Sequence, residues 1–311
     1  MKNSRISTAF NLLIVLFCLV SVSGCNQKTD YDIALAAYKN QDFTQALKLF
    51  LPLAESGNAM AQYFTGKIYQ KQQNNNKEAA IWYKKSAEQG VAASQIRLAQ
   101  LYFLGEGVQQ DYWETMKWSR KAAVQGNPEA EATIAYMYHE GFGIKQNYQE
   151  AFHWYMKAAQ KNWVSSMHDL GVMYKNGRGI KQDYRQAIYW YRKAAESGYK
   201  NSQDSLLKMY IQGLGIPKEA DAAFQWFQDA AHDKHIVEQY VLGTYYLHGK
   251  GTDVDKIKAY AWLGVAAAGG FVLAQSTRDM VALDLTDDEL EQARKLARQL
   301  WNEYGYCKDN C

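Results

Sequence analysis

Six tryptophans, Trp82, Trp118, Trp154, Trp190, Trp226 and Trp262, stand 36 residues apart without a slip. A period between about 20 and 50 residues marks an array of supersecondary units, none of which can bury its own apolar face. A small pair follows each indole: Ser86-Ala87, Ala122-Ala123, Ala158-Ala159, Ala194-Ala195, Ala230-Ala231 and Ala266-Ala267. Tyr102, Tyr138, Tyr174, Tyr210 and Tyr246 form a second series in the same register. The indole fills space between neighbouring units, and the alanines let helices approach closely.

The punctuation predicts what each unit is. Asn127 and Pro128 read as N-cap and first residue of a helix. Paired glycines then follow at Gly105, Gly141, Gly177, Gly213 and Gly249, each with a second glycine two residues on, and such residues end helices at positive φ. A second helix opens on capping-box pairs, Asp111 with Glu114, Asn147 with Glu150 and Asp183 with Gln186. In the first helix Ser94, Leu98, Leu101 and Tyr102 follow helical spacing, as do Ala130, Ile134, Met137 and Tyr138, which predicts a buried stripe. Each unit is helix, glycine-rich turn, helix, and the fold class is all-α. Only three prolines in 311 residues agree with that.

The N-terminus has the pattern of an export signal. Lys2 and Arg5 precede an apolar run containing IVLFCLV, which is short for a membrane span of roughly 20 residues. The run ends in VSGC, which resembles a bacterial lipobox. That resemblance implies a signal peptide over 1–24, lipidation of Cys25, and a tether over 25–30. Asn26 after the cysteine implies sorting to the outer membrane; a periplasmic face is the expected orientation, with the outer surface as the alternative. Loss of Lys2 and Arg5 lowers a formal charge of +3 to +1, leaving no basic excess to attract nucleic acid. Cys307 and Cys311 then remain as thiols in an oxidising compartment, either bridged in a small loop or free on the tail.

The unit as a whole resembles the Sel1-like repeat (SLR), a relative of the tetratricopeptide repeat. SMHDLGVMYKNGRGIKQDYRQAIYWYRKAAESG, 166–198, is a nearly complete copy. On that resemblance six units fall at 58–90, 91–126, 127–162, 163–198, 199–234 and 235–270, between an N-terminal capping hairpin at 31–57 and C-terminal capping helices at 271–305, followed by the cysteine-containing tail at 306–311. The first unit has KQQNNN where the glycine turn belongs, and the fifth has Asp229 in place of lysine. A capping box from Thr286 to Glu289 opens the last helix.

The resemblance implies a right-handed α-solenoid that binds other proteins or peptides, on the concave surface that stacked hairpins leave, and it implies no common chemistry. Together with the export signal, this makes an envelope protein or peptide the expected partner, and no cofactor, metal or small-molecule substrate is expected. The partner-facing stripe is expected on the first helix of each unit: Ile96, Gln100 and Phe103; Ala132, Tyr136 and His139; His168, Val172 and Lys175; Asp204, Lys208 and Ile211; Tyr240, Thr244 and Leu247. Tyr136, His139, His168, Lys175, Lys208 and Tyr240 are its candidate contact residues.

An enzyme is the alternative. Some cysteine-rich members of this family bind or hydrolyse β-lactams, and Ser205 with Lys208 matches the S-x-x-K pattern of penicillin-recognising enzymes. About one such match is expected by chance in a chain of this length, and the S-D-N and K-T-G companions are absent. His232 and His235 are three apart but have no third ligand in sequence, so no metal site is expected.

Overall fold

The computed structural model describes residues 30–305, so the leader, Cys25, Cys307 and Cys311 lie outside the described residues. Those described residues hold sixteen helices and no strand. They are α1 (30–39), α2 (Phe43–Glu55), α3 (Ala59–Gln72), α4 (Asn76–Glu88), α5 (Ala92–Leu104), α6 (Tyr112–Val124), α7 (Pro128–Glu140), α8 (Tyr148–Gln160), α9 (Val164–Asn176), α10 (Tyr184–Glu196), α11 (Lys200–Ile211), α12 (Ala220–His232), α13 (Ile236–His248), α14 (Lys256–Ala268), α15 (Val272–Ala282) and α16 (Asp287–Tyr304). They divide into two compact units between Gln146 and Asn147. In the first, α2 to α7 pack each on the next; in the second, α8 to α11 do so, α12 packs on α13, and α14 carries α13, α15 and α16.

Recurrent residues take the places that helix chemistry assigns them. Asp111 Oδ1 accepts from the amides of Trp113 and Glu114, Asn147 from Gln149 and Glu150, and Asp183 from Arg185 and Gln186. The reciprocal arm of the expected box is replaced in α6. Glu114 turns along the helix, accepting from the Trp118 indole at 2.7 Å and pairing with Lys117 at 2.6 Å. Thr286 and Glu289 form the complete box.

The indoles are buried at Trp82, Trp118, Trp190 and Trp262, while Trp154 and Trp226 are half-buried. A lysine one turn on covers the ring face, 4.1 Å from Trp82, 4.3 Å from Trp118 and 4.2 Å from Trp154. Such contacts are worth about 0.5–1 kcal/mol at exposed sites. Where Asp229 replaces that lysine, Arg192 of the preceding hairpin lies 5.6 Å from Trp226 instead.

The deeper core column is the residue after each tryptophan. Tyr83, Ser119, Tyr155, Tyr191, Phe227 and Leu263 are all buried. The first helix of the hairpin makes room with a small residue: a Cβ on Gly66 would stand 2.9 Å from the Tyr83 ring, and one on Gly171 2.5 Å from Tyr191. A buried glutamine then ties hairpin to hairpin. The amides of Gln62 and Gln95 in the first unit, and of Gln203 and Gln239 in the second, donate to carbonyls of Ala54, Ala87, Ala195 and Ala231 at 3.0–3.3 Å, in the last turn of the preceding helix. Each of these carbonyls also accepts a backbone N–H from the following turn, from Gly57, Gly90, Gly198 and Lys234 at 2.9–3.2 Å, so the glutamine supplies the second donor and satisfies its own buried amide.

The paired glycines divide their labour. Gly249 is the left-handed cap of α13. Gly251, at φ +65°, passes so close to the start of α12 that a Cβ would meet the Ala220 carbonyl oxygen at 2.3 Å. The second glycine is therefore a contact between hairpins as well as a turn residue.

Candidate functional site: a cleft at the fifth hairpin

The fifth hairpin breaks the packing rule. At the position of Gly66, Ala99, Ala135, Gly171 and Gly243 it carries Leu207, and at the facing position it carries Phe227. Two large side chains in place of a small–large pair hold the helices apart. In the same unit α9 lies closely along α10 and α13 along α14, whereas α11 and α12 do not approach in this way. The turn differs too. α11 ends on Gln212 in a right-handed conformation rather than on a left-handed glycine, Pro217 follows, and Glu219 caps α12 without a side-chain hydrogen bond.

A cleft of about 650 Å³ opens there, lined by Leu207, Ile211, Ile216, Pro217, Tyr240, Thr244 and Tyr245 together with Lys218, His248 and Lys250. Among the described residues no carboxylate lines it. Ile211 is 76% exposed, and the Lys250 ammonium stands 5.8 Å from the Tyr245 ring. Beneath the cleft Tyr210 donates its hydroxyl to the buried carboxylate of Glu238, which also accepts from Arg192 Nε at 2.8 Å. Burial first, then the Glu238 charge, holds the Tyr210 phenol well above its usual range, so it stays a donor.

The residues expected to face a partner separate into distinct settings. Tyr240 and Thr244 line the cleft with Ile211; Lys208 is exposed on the same helix as Ile211, and Asp204 is exposed one turn before it. Lys175 is half-buried on α9 and its carbonyl accepts from Gln182 at 2.7 Å. In the first unit Tyr136 is 43% exposed and joins Phe103 and Phe142 in a surface aromatic cluster, with centroids 6.1 and 5.7 Å away. The His139 ring lies 2.7 Å from Glu140 Oε1. Ile96 is a correction: it is fully buried and belongs to the core.

His168 packs inward. Its ring sits among Tyr191 and Tyr199, and Nδ1 lies 2.8 Å from the Ser202 hydroxyl. Burial lowers its pKa from the ordinary 6.5. The unfolded chain therefore takes up a proton near 6.5 while the folded ring stays neutral, so this histidine's contribution is present above that pH and is lost as pH falls through the folded value. Wild type is expected to lose more stability than His168→Gln between pH 7.5 and 5.5, read from urea midpoints. Equal losses would show that the ring titrates freely.

Ser205 is half-buried on α11 and shares a hydrogen bond with the Tyr191 phenol, whose pKa burial pushes up to about 12. The hydroxyl that the S-x-x-K match would need as nucleophile is engaged in packing. His232 stacks on Tyr304 at 4.5 Å, and His235 lies 2.6 Å from Glu196. No group of three metal-ligating side chains occurs among the described residues.

The Sel1 repeat profile matches seven segments, 37–58, 59–91, 92–127, 128–163, 164–199, 208–235 and 239–271. The chain belongs to the Sel1 repeat family. Its fold is that family's α-solenoid of helical hairpins. The match at the fifth hairpin begins only at 208, where Leu207 and the altered turn depart from the repeat. A Sel1 repeat protein from Oxalobacter formigenes of known structure is 33% identical, with a TM-score of 0.58, over 76% of this chain and 96% of that one. A protective antigen of uropathogenic Escherichia coli strains displaying an SLR fold is 23% identical over 90% of this chain and 92% of that one, with a TM-score of 0.47. No curated protein matches the chain. Sel1 repeat proteins generally mediate protein–protein interaction, and the family is typically non-enzymatic.

Proposed function

We propose that this Sel1 repeat protein is a lipid-anchored interaction scaffold of the bacterial cell envelope, attached through Cys25 and facing the periplasm from the outer membrane. Its partner docks an extended segment in the cleft of the fifth hairpin. The observation that carries this reading is the coincidence of the expected partner stripe, Ile211, Tyr240 and Thr244, with a cleft that the local sequence builds. An apolar floor suits a large aliphatic or aromatic anchor residue. Lys218, His248 and Lys250, with no lining carboxylate, suit acidic flanks on that segment.

A photo-crosslinking side chain at position 244 is expected to capture the partner in cells. Ile211→Asp, which puts a charge where the anchor residue packs, is expected to weaken recovery at least tenfold, equivalent to about 1.4 kcal/mol. Lys218→Glu is expected to act in the same direction. Unchanged capture by both variants would sink the cleft as the docking site. Independently, Cys25→Ser is expected to remove acyl labelling and move the protein out of the membrane fraction; retained labelling would sink the anchor.

A further inference from the structure

A second cavity, of about 390 Å³, lies at the far end of the second unit between α14, α15 and α16. It exists because two repeat columns change character there. Position 264 corresponds to Lys84, Arg120, Met156, Arg192 and Gln228 in earlier units, yet here it is glycine. The long side chain that occupies this face elsewhere is missing. Position 278 corresponds to the core residues Leu98, Ile134, Leu170, Leu206 and Leu242, yet here it is arginine. Arg278 therefore stands where a buried leucine would be and lines the space that Gly264 leaves.

Arg294 and Arg298, one turn apart on α16, line the same cavity. Like charges at this spacing repel, and among the described residues no carboxylate lines the cavity. Neither arginine forms an ion pair among the described residues. Arg278 donates from Nε and Nη2 to exposed Asp279 at 3.1 and 2.7 Å, and none of the described residues accepts from its Nη1. Its guanidinium lies 5.9 Å from the Tyr260 ring, and Tyr260 and Trp301 supply aromatic walls.

We propose that this cavity binds a phosphate monoester carried on an apolar body. Three guanidinium groups exceed what one carboxylate can neutralise. A phosphate monoester brings a charge of about −1.5 to −2 and three terminal oxygens, which match forked N–H donors. The aromatic walls exclude water from the body that carries it. The ester can belong to a lipid headgroup or to a soluble aromatic phosphate, since both present the same oxygens.

The test uses the full chain in neutral detergent and titration calorimetry with dihexanoyl phosphatidic acid, phenyl phosphate and inorganic phosphate. Wild type is expected to bind at least one of the two esters, and to bind it at least tenfold more tightly than inorganic phosphate. Preference for the first assigns a lipid headgroup; preference for the second, a soluble ester. Arg294→Gln with Arg298→Gln is expected to weaken binding at least tenfold. Gly264→Met, which fills the cavity without changing its charge, is expected to do the same. Circular dichroism melts serve as the control for folding, and if Gly264→Met melts early, Gly264→Ala with Ala297→Leu replaces it. Binding of neither ester, no preference over inorganic phosphate, or affinity unaltered in a folded variant of either kind would overturn the proposal.

Discussion

Tyr191→Ala is expected to cost about 3–5 kcal/mol, the range for truncating a large aromatic core residue. The ring is 1% exposed and touches three helices. It belongs to α10, lies on α9 where Gly171 leaves bare backbone, and shares its hydroxyl with Ser205 on α11. Truncation therefore opens a cavity in the fourth hairpin and detaches it from the fifth. Stability in such arrays is nearly a sum of local and neighbour terms, so the loss should be read where it occurs. Amide hydrogen exchange in α9–α11 is expected to accelerate far more than in α3–α6. Tyr191→Phe, which removes only the hydroxyl, is expected to cost about 1 kcal/mol. Gly171→Ala offers a complementary reading. Alanine favours a helix over glycine by about 1 kcal/mol, but its Cβ would meet the ring at 2.5 Å. Overpacking of about 1–3 kcal/mol is expected to win. A stabilised Gly171→Ala variant would show that the ring has room to move.

This pairing of ring and glycine shows where sequence reading stopped. The 36-residue period, the helix–turn–helix unit and the cap residues were legible, because each rests on local chemistry that a single segment carries: Asp111 and Asn147 bond to amides two and three residues away. The tryptophan column was legible as packing, yet the neighbouring Tyr83, Tyr155 and Tyr191 are buried at least as deeply. Polar hydroxyls masked them, and the signal for Tyr83 and Tyr191 was the glycine at the facing positions 66 and 171, a signal that Tyr155, opposite Ala135, lacks. The glutamine column had a signal as well, since Gln95, Gln203 and Gln239 share one register, but a buried amide reads as a surface residue until its acceptor is seen. The candidate site was half legible. Ile211, Tyr240 and Thr244 fell on the expected stripe, whereas the cleft between them depends on Leu207 facing Phe227, a clash of sizes across two helices that helical spacing cannot display. His168 and Ile96 fell on the same stripe and turn inward, because periodicity fixes a face of the helix and the neighbouring hairpin decides how much of that face it covers.

Arg192→Ala is expected to be as damaging as the loss of the tyrosine, for an electrostatic reason. Glu238 occupies a column that elsewhere holds Ser94, Ala130, Ser166 and Ser202, and it is 1% exposed. Its Oε1 gathers the Arg192 guanidinium at 2.7–2.8 Å and the Tyr210 hydroxyl, while Oε2 has no partner. Bringing these charges out of water costs several kcal/mol per ion, which their attraction offsets only as long as both are present. Removing the guanidinium strands a carboxylate in the interior, at a cost of about 3–5 kcal/mol. It also uncovers Trp226, whose cation Arg192 supplies across the hairpin boundary. The same reasoning predicts the opposite for wholesale replacement. Arg192→Met, Tyr210→Phe and Glu238→Leu together remove every charge and hydroxyl at once and are expected to fall within about 1–2 kcal/mol of wild type, on either side. Urea denaturation followed by hydrogen exchange in α10–α13 separates the cases. If the triple variant is as unstable as Arg192→Ala, the triad supplies net stability through its own attraction. If it recovers, the ions hold α10 against α13 in one register beneath the cleft, and the variant's partner affinity then reports how far docking at Ile211 and Tyr240 depends on that register.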